Sequence, residues 1–121
     1  MTEARLTLGR WGEEQAADYL RRRGLKIVER NYRAPVGEID IIARQGRLLL
    51  FIEVKTRRSI AFGLPQEAVG KTKQRQIVRT AQWYLGHMGA KGLQPRFDVL
   101  TVRPDAQGGA VIEHIPDAFG L

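Results

Sequence analysis

V-G-E-I-D-I-I-A-R-Q-G-R-L-L-L-F-I-E-V-K-T-R-R, residues 36–58, reads as a β-hairpin. Apolar and β-branched residues dominate both arms, and Gln45-Gly46 marks the turn. Charged residues interrupt the arms at Asp40, Glu53 and Lys55. A turn at Gln45-Gly46 sets Asp40 opposite Phe51 and Glu38 opposite Glu53. Opposed residues share a face, so Asp40, Glu53 and Lys55 project from one side, with the two acids as diagonal neighbours within reach of a common ion. A slip of one residue would separate them. Two carboxylates and an ammonium on an apolar hairpin are expensive to desolvate unless they pair or bind a metal. The alternative is an edge hairpin whose outer face is wet and carries a surface Glu-Lys pair.

The chain has 121 residues, 43% of them hydrophobic, which predicts one domain over residues 1–121 with a sizeable core. No apolar run approaches a membrane span, and the acidic, Arg-bearing N-terminus is unlike a secretory signal, so a cytoplasmic protein with no membrane partner is expected. The absence of cysteine excludes disulfides and thiolate zinc sites. The formal net charge of +7 favours a polyanionic partner, nucleic acid first and an acidic membrane surface second.

Upstream of the hairpin, Leu6, Gly9, Glu13, Ala16, Ala17 and Leu20 recur at helical spacing and predict a helix over residues 6–23. Glu13 is the misfit, a carboxylate within the apolar stripe. It is either a wet residue near the helix start, favoured by the dipole, or a carboxylate aimed over the sheet. Arg21, Arg22, Arg23 and Gly24 close the helix. A strand follows over residues 25–32. Beyond the hairpin, residues 61–65 read as a loop, and a second helix covers residues 70–85. Its stripe is Ile77, Val78, Ala81, Tyr84, Leu85 and Met88, with Gln74 inside it near the start and Lys73 at its edge. Lys71, Lys73 and Arg75 crowd its first turns against the dipole, a conflict that a phosphate would relieve; a solvated basic face through Arg75 and Arg79 is the other reading. Strands over residues 96–102 and 110–115 complete the order helix, three strands, helix, two strands, which predicts a mixed central sheet flanked by helices.

Phosphodiester hydrolysis needs an activated water, neutralised charge and a protonated leaving group, and oxygen-ligated Mg²⁺ or Mn²⁺ supplies the first two. Asp40 and Glu53 suit it as ligands, with the backbone carbonyl of Val54 between the second acid and Lys55. Lys55 would hold or deprotonate the water, or stabilise the pentavalent phosphate. Glu13 could complete the metal shell, and Lys73 and Gln74 could contact the scissile phosphate or its neighbour. Arg57, Arg58, Lys71 and Arg75 add to the expected nucleic-acid contacts. Rival sites lack coherence. There is no phosphate-binding G-x-x-x-x-G-K-[ST] loop, and Gly9-Arg10-Trp11-Gly12 precedes any strand. His87 reads as a helix terminator, His114 as a solvent-facing edge residue, and Ser59 has no nucleophile motif around it.

Glu13, the G-E-I-D ending at Asp40 and the E-V-K of Glu53 to Lys55 resemble the metal-dependent PD-(D/E)xK nuclease superfamily, and the element order is similar to its α-β-β-β-α-β core. More closely, nearly the whole chain resembles the bacterial YraN-like family of endonuclease-like proteins. G-R-W-G-E-E-Q-A-A from Gly9, E-R-N-Y-R from Glu29, G-E-I-D-I-I-A-R from Gly37, F-I-E-V-K-T-R from Phe51, F-G-L-P from Phe62 and R-F-D-V from Arg96 carry that resemblance. It implies an α/β restriction-endonuclease-like fold akin to archaeal Holliday-junction resolvases. Asp40 and Glu53 then match the metal ligands, Lys55 the catalytic lysine and Glu13 the extra helix carboxylate. Ile39 stands where the superfamily has proline.

These readings converge on a divalent-metal-dependent DNA endonuclease selective for branched DNA such as four-way junctions, whose two-fold symmetry suits a homodimer. Two other classes compete. A nucleic-acid-binding module could retain the fold without chemistry, and an interaction subunit could need a partner protein for activity.

Overall fold

The computed structural model describes residues 3–58, 69–89 and 91–120, and the backbone alone for residues 3–6. Helix α1 spans Glu3–Arg22, strands β1 to β3 span Lys26–Ala34, Gly37–Gln45 and Leu48–Thr56, helix α2 spans Lys71–Met88, and strands β4 and β5 span Gln94–Pro104 and Ala110–Phe119. The strands form one sheet in the order β1-β2-β3-β4-β5. Strands β3 and β4 are parallel and every other neighbouring pair is antiparallel. The parallel pair requires a crossover, which carries α2 across one face. This is the expected α-β-β-β-α-β order in a mixed α/β sheet. The anticipated loop over residues 61–65, and Ser59, lie outside the described residues. Among the described residues no helix is long and apolar enough to cross a membrane.

Alternation along the strands divides the core in two. On one face Ile41, Ala43, Leu50, Ile52, Leu100 and Val102 receive Ala16, Ala17 and Leu20 of α1. On the other Ile42, Leu49, Phe51, Phe97 and Val99 receive Ile77, Ala81 and Tyr84 of α2. Two alanines at the α1 contact let its backbone ride close to the sheet. Gly12 takes this furthest: a β-carbon there would collide with the side chain of Thr56 at the end of β3. Thr56 is short and β-branched and cannot swing clear, so α1 or β3 would have to move. Helix propensity alone favours Gly12→Ala by about 1 kcal/mol. The expected result is the opposite sign, a loss of about 1–3 kcal/mol by overpacking, measured in urea unfolding curves.

Several details depart from the sequence expectations. The hairpin turn is Gly46-Arg47, with Gly46 at φ 60° in the left-handed position that primed hairpin turns need. The observed ladder pairs Gln45 with Leu48 and ends at Ile41 with Ile52. Asp40 lies one step past that last pair and does not stand opposite Phe51. Ile39 packs on the α2 face and Ile41 on the α1 face, so alternation breaks across Asp40, and the acids meet through the hydrogen bond between their carboxyls instead of through the ladder.

Strand β5 runs to Phe119 instead of stopping at residue 115. Pro116 and Asp117 look like a terminator, yet Asp117 adopts φ 52°, its N–H donates to Asp98 at 3.0 Å, and Phe119 pairs again with Phe97. Met88, expected in the apolar stripe of α2, is 58% exposed. Thr80 is buried in the helix instead, with its hydroxyl donating to the Gln76 carbonyl at 2.7 Å.

Candidate active site

Beyond the Ile41–Ile52 pair, the Asp40 side chain takes the place of the ladder. Its Oδ2 accepts the Val54 N–H at 2.8 Å. A strand residue's N–H and C=O leave by the same edge, so the Val54 carbonyl also faces the gap between β2 and β3. Glu53 follows Leu49 and Phe51 onto the α2 face and is only 5% exposed. Its carboxyl is pushed up to about 8, first by burial and then by a hydrogen bond to Asp40 and the repulsion of that charge. Lys73 and Lys55 oppose the shift without cancelling it. At neutral pH Glu53 therefore keeps its proton.

Lys73 reaches the pair from α2, with Nζ 3.7 Å from Glu53 Oε2. A cation where the helix dipole disfavours it is thus matched by a carboxylate. Lys73 and Gln76 also form one wall of an open groove of about 400 Å³, whose other wall is Arg33, Ala34, Gly37 and Glu38. Lys55 is half-buried, two residues beyond Glu53 on the same side of β3, and its charge acts on Glu53.

The remaining site candidates are placed less centrally. Glu13 points to β1, accepting from Asn31 Nδ2 at 2.9 Å and from Arg30 Nη2 at 3.4 Å. Among the described residues no three ligating side chains lie together, so the structure brings Asp40 and Glu53 into contact but does not add Glu13 to them. Asn31, at φ 52°, could have been noticed in the E-R-N-Y-R segment as the kind of residue that tolerates this backbone. Gln74 donates to the Val69 carbonyl at 2.9 Å, across the entry to α2. The Arg57 N–H donates to the Val102 carbonyl at 2.9 Å, and Arg58, Lys71 and Arg75 are exposed.

One polar cluster escaped the sequence reading. His114 does not face solvent. Its Nε2 lies 2.7 Å from Asp98 Oδ2, and its Nδ1 lies 3.1 Å from the Tyr19 hydroxyl. Arg96 donates twice to Asp98, at 2.9 and 2.8 Å. Burial would raise the Asp98 carboxyl, but the bonds from His114, Arg96 and the Asp117 N–H outweigh it and hold it at about 2. His87 does terminate its helix, in the last turn of α2.

Comparison with known proteins shows what the chain is similar to in sequence. A model described as "Uncharacterised protein family UPF0102" matches residues 12–102. A UPF0102 protein of Syntrophotalea carbinolica is 61% identical over 121 residues, covering 100% of this chain and 98% of that one. One from Caldicellulosiruptor saccharolyticus is 47% identical, covering 93% of this chain and 96% of that one.

Proposed function

The chain belongs to the UPF0102, or YraN-like, family, and from that premise we propose that it is a divalent-metal-dependent endonuclease acting on DNA in the cytoplasm, with branched DNA as its preferred substrate. One observation carries the reading: two carboxyl groups in contact, one almost fully buried, in the gap where β2 and β3 part, with Lys55 and Lys73 beside them. A surface Glu-Lys pair would not be buried or hold a proton at neutral pH.

The donor set fits a hard cation. Asp40 and Glu53 offer carboxylate oxygens, the Val54 carbonyl faces the same gap, and the Glu53 proton is one that Mg²⁺ or Mn²⁺ would displace. Bound there, the cation would activate a water and neutralise phosphate charge. The protein's own groups do the rest. The Val54 N–H fixes Asp40. Lys55, on the Glu53 side, would move a proton or meet charge building on the phosphorus oxygens. Lys73 would be released from Glu53 to hold a neighbouring phosphate. Arg58, Lys71 and Arg75 supply exposed charge for the backbone.

The direct test is incubation of four-way junction, flap, duplex and single-stranded DNA with Mn²⁺ or Mg²⁺. Cleavage of the branched forms is the expected result. Salt-sensitive binding without cutting under any metal would instead indicate a non-catalytic binding module.

Metal binding makes a second prediction, with a definite pH sign. Below about pH 8 the cation must displace the Glu53 proton. Mn²⁺ affinity should therefore rise about tenfold per pH unit toward 8 and then level off. Calorimetric titrations at several pH values would measure this, and a flat profile would remove the pair as the ligand set.

A further inference from the structure

Helix α2 has a second face, turned away from Lys73 and the carboxylate pair. Lys71, Arg75, Arg79, Trp83 and His87 recur at every fourth position, and all five are exposed. Successive members are about 6 Å apart along the axis, and Lys71 to Trp83 spans about 18 Å. The helix has 18 residues and contains no aspartate or glutamate. Among the described residues, Lys71, Arg75 and Arg79 have no ion pair, whereas Arg21, Arg33 and Arg96 each have one and Arg30 has two. A groove of about 350 Å³ runs beside this ridge, lined by the three cations, Gln74, Val78, Gln82 and Gly120. It therefore presents positive charge and amides, with no acid in its lining.

The end of the ridge is aromatic. The Trp83 and His87 rings stack with centroids 4.4 Å apart and planes 16° from parallel. His87 Nδ1 donates to the Trp83 carbonyl at 2.8 Å, which fixes the imidazole. Trp83 is 36% exposed although the apolar core lies on the opposite side of the helix. A row of cations leading to a rigid, partly exposed indole is the pattern that tracks phosphates and then stacks a base. A duplex has no free base faces along its length to offer that indole, but a single strand does.

We infer that the outer ridge of α2 binds a single-stranded nucleic-acid segment, with Lys71, Arg75 and Arg79 on its phosphates and a base stacked on Trp83. The inference rests on the nucleic-acid reading of the neighbouring site but not on its chemistry. Lys73, on the flank of the same helix, contacts Glu53. A strand on the ridge would thus leave the carboxylates at its Lys71 end and anchor about four turns of helix away at the aromatic pair.

Trp83 reports on its own ligand. The chain has two tryptophans, so Trp11→Phe leaves Trp83 as the sole indole. In that background, with Glu53→Gln added to prevent cutting, an oligothymidylate should quench the fluorescence, and a blunt duplex should not. Arg75→Ala with Arg79→Ala should weaken oligothymidylate binding at least tenfold and lower its salt slope by about 1.4. Trp83→Ala should weaken it about tenfold by anisotropy, while Trp83→Phe keeps most of the affinity. Equal quenching by blunt duplex, or no quenching by oligothymidylate, would overturn the inference. Quenching would stand even if the wild-type chain cut no DNA, so failure of the nuclease reading is seen separately.

Discussion

Glu53→Gln is expected to reduce Mn²⁺-dependent DNA cleavage by about 10³-fold or more while leaving the protein folded and able to bind DNA. The amide keeps the size of the side chain and can still donate to Asp40, replacing the bond that the Glu53 proton now makes. It cannot lose a proton to a cation. The same substitution should make the metal-free protein more stable at alkaline pH. The Glu53 carboxyl is raised in the folded state, so its favourable contribution is complete below about pH 4.5 and is lost as pH rises toward 8. Glutamine has no such loss. The two chains should therefore melt together in acid, with the variant melting higher near pH 8.5. Mn²⁺ should raise the melting temperature of the wild type and leave that of the variant unchanged. A variant that cuts DNA at the wild-type rate would remove Glu53 from the chemistry. A variant less stable than wild type at high pH would show that its charge is already well compensated.

The hairpin made Asp40 and Glu53 legible as neighbours, but not by the register it implied. The turn could be placed at Gln45-Gly46 or at Gly46-Arg47, since both contain the glycine. The observed ladder stops at Ile41 with Ile52, and the opposite faces of Ile39 and Ile41 show that alternation breaks across Asp40. The two acids meet because Asp40 turns into the gap beside Val54, a contact that strand periodicity does not give. Depth of burial was not legible. Only the crossover of α2, which carries Lys73 over the second arm, makes Glu53 an interior residue. Glu13 has the same limitation: its place in the stripe of α1 fixes a face, but the choice between the carboxylate pair and Arg30 with Asn31 depends on where β1 lies.

The outer stripe of α2 poses the reverse problem. Arg75 and Arg79 read first as a solvated basic face, because periodicity gives a direction and no ligand. The stacked Trp83–His87 pair is the second observation on which the single-strand proposal stands. His114 was misplaced because edge-strand residues are usually wet, and nothing local marks Asp98 as its partner. The two are brought together by the β4–β5 ladder and its irregularity between Phe97 and Val99.

Asp98→Asn is expected to destabilise the fold by about 3 kcal/mol at pH 7. Asp98 is 0% exposed and satisfies four donors: two from Arg96, one from the Asp117 N–H and, when Nε2 carries the hydrogen, one from His114. An asparagine offers one acceptor oxygen, and its amide would turn donors toward donors. It also leaves the Arg96 guanidinium without its counter-charge. The acid limb of the stability profile checks the same network. With the carboxyl held at about 2, against an ordinary value of 3.8, the ionised form contributes about 2 kcal/mol that is complete above about pH 4 and is lost as pH falls through 2. Urea unfolding at pH 7 and near pH 2 should therefore show the gap between variant and wild type narrowing in acid. Metal binding should be unaffected, because Asp98 lies with Ile52 on the α1 side of the sheet and Glu53 projects from the other. A gap below about 0.5 kcal/mol at pH 7 would mean that desolvation of the carboxylate cancels its four bonds, and that His114 and Tyr19 close this edge by packing alone.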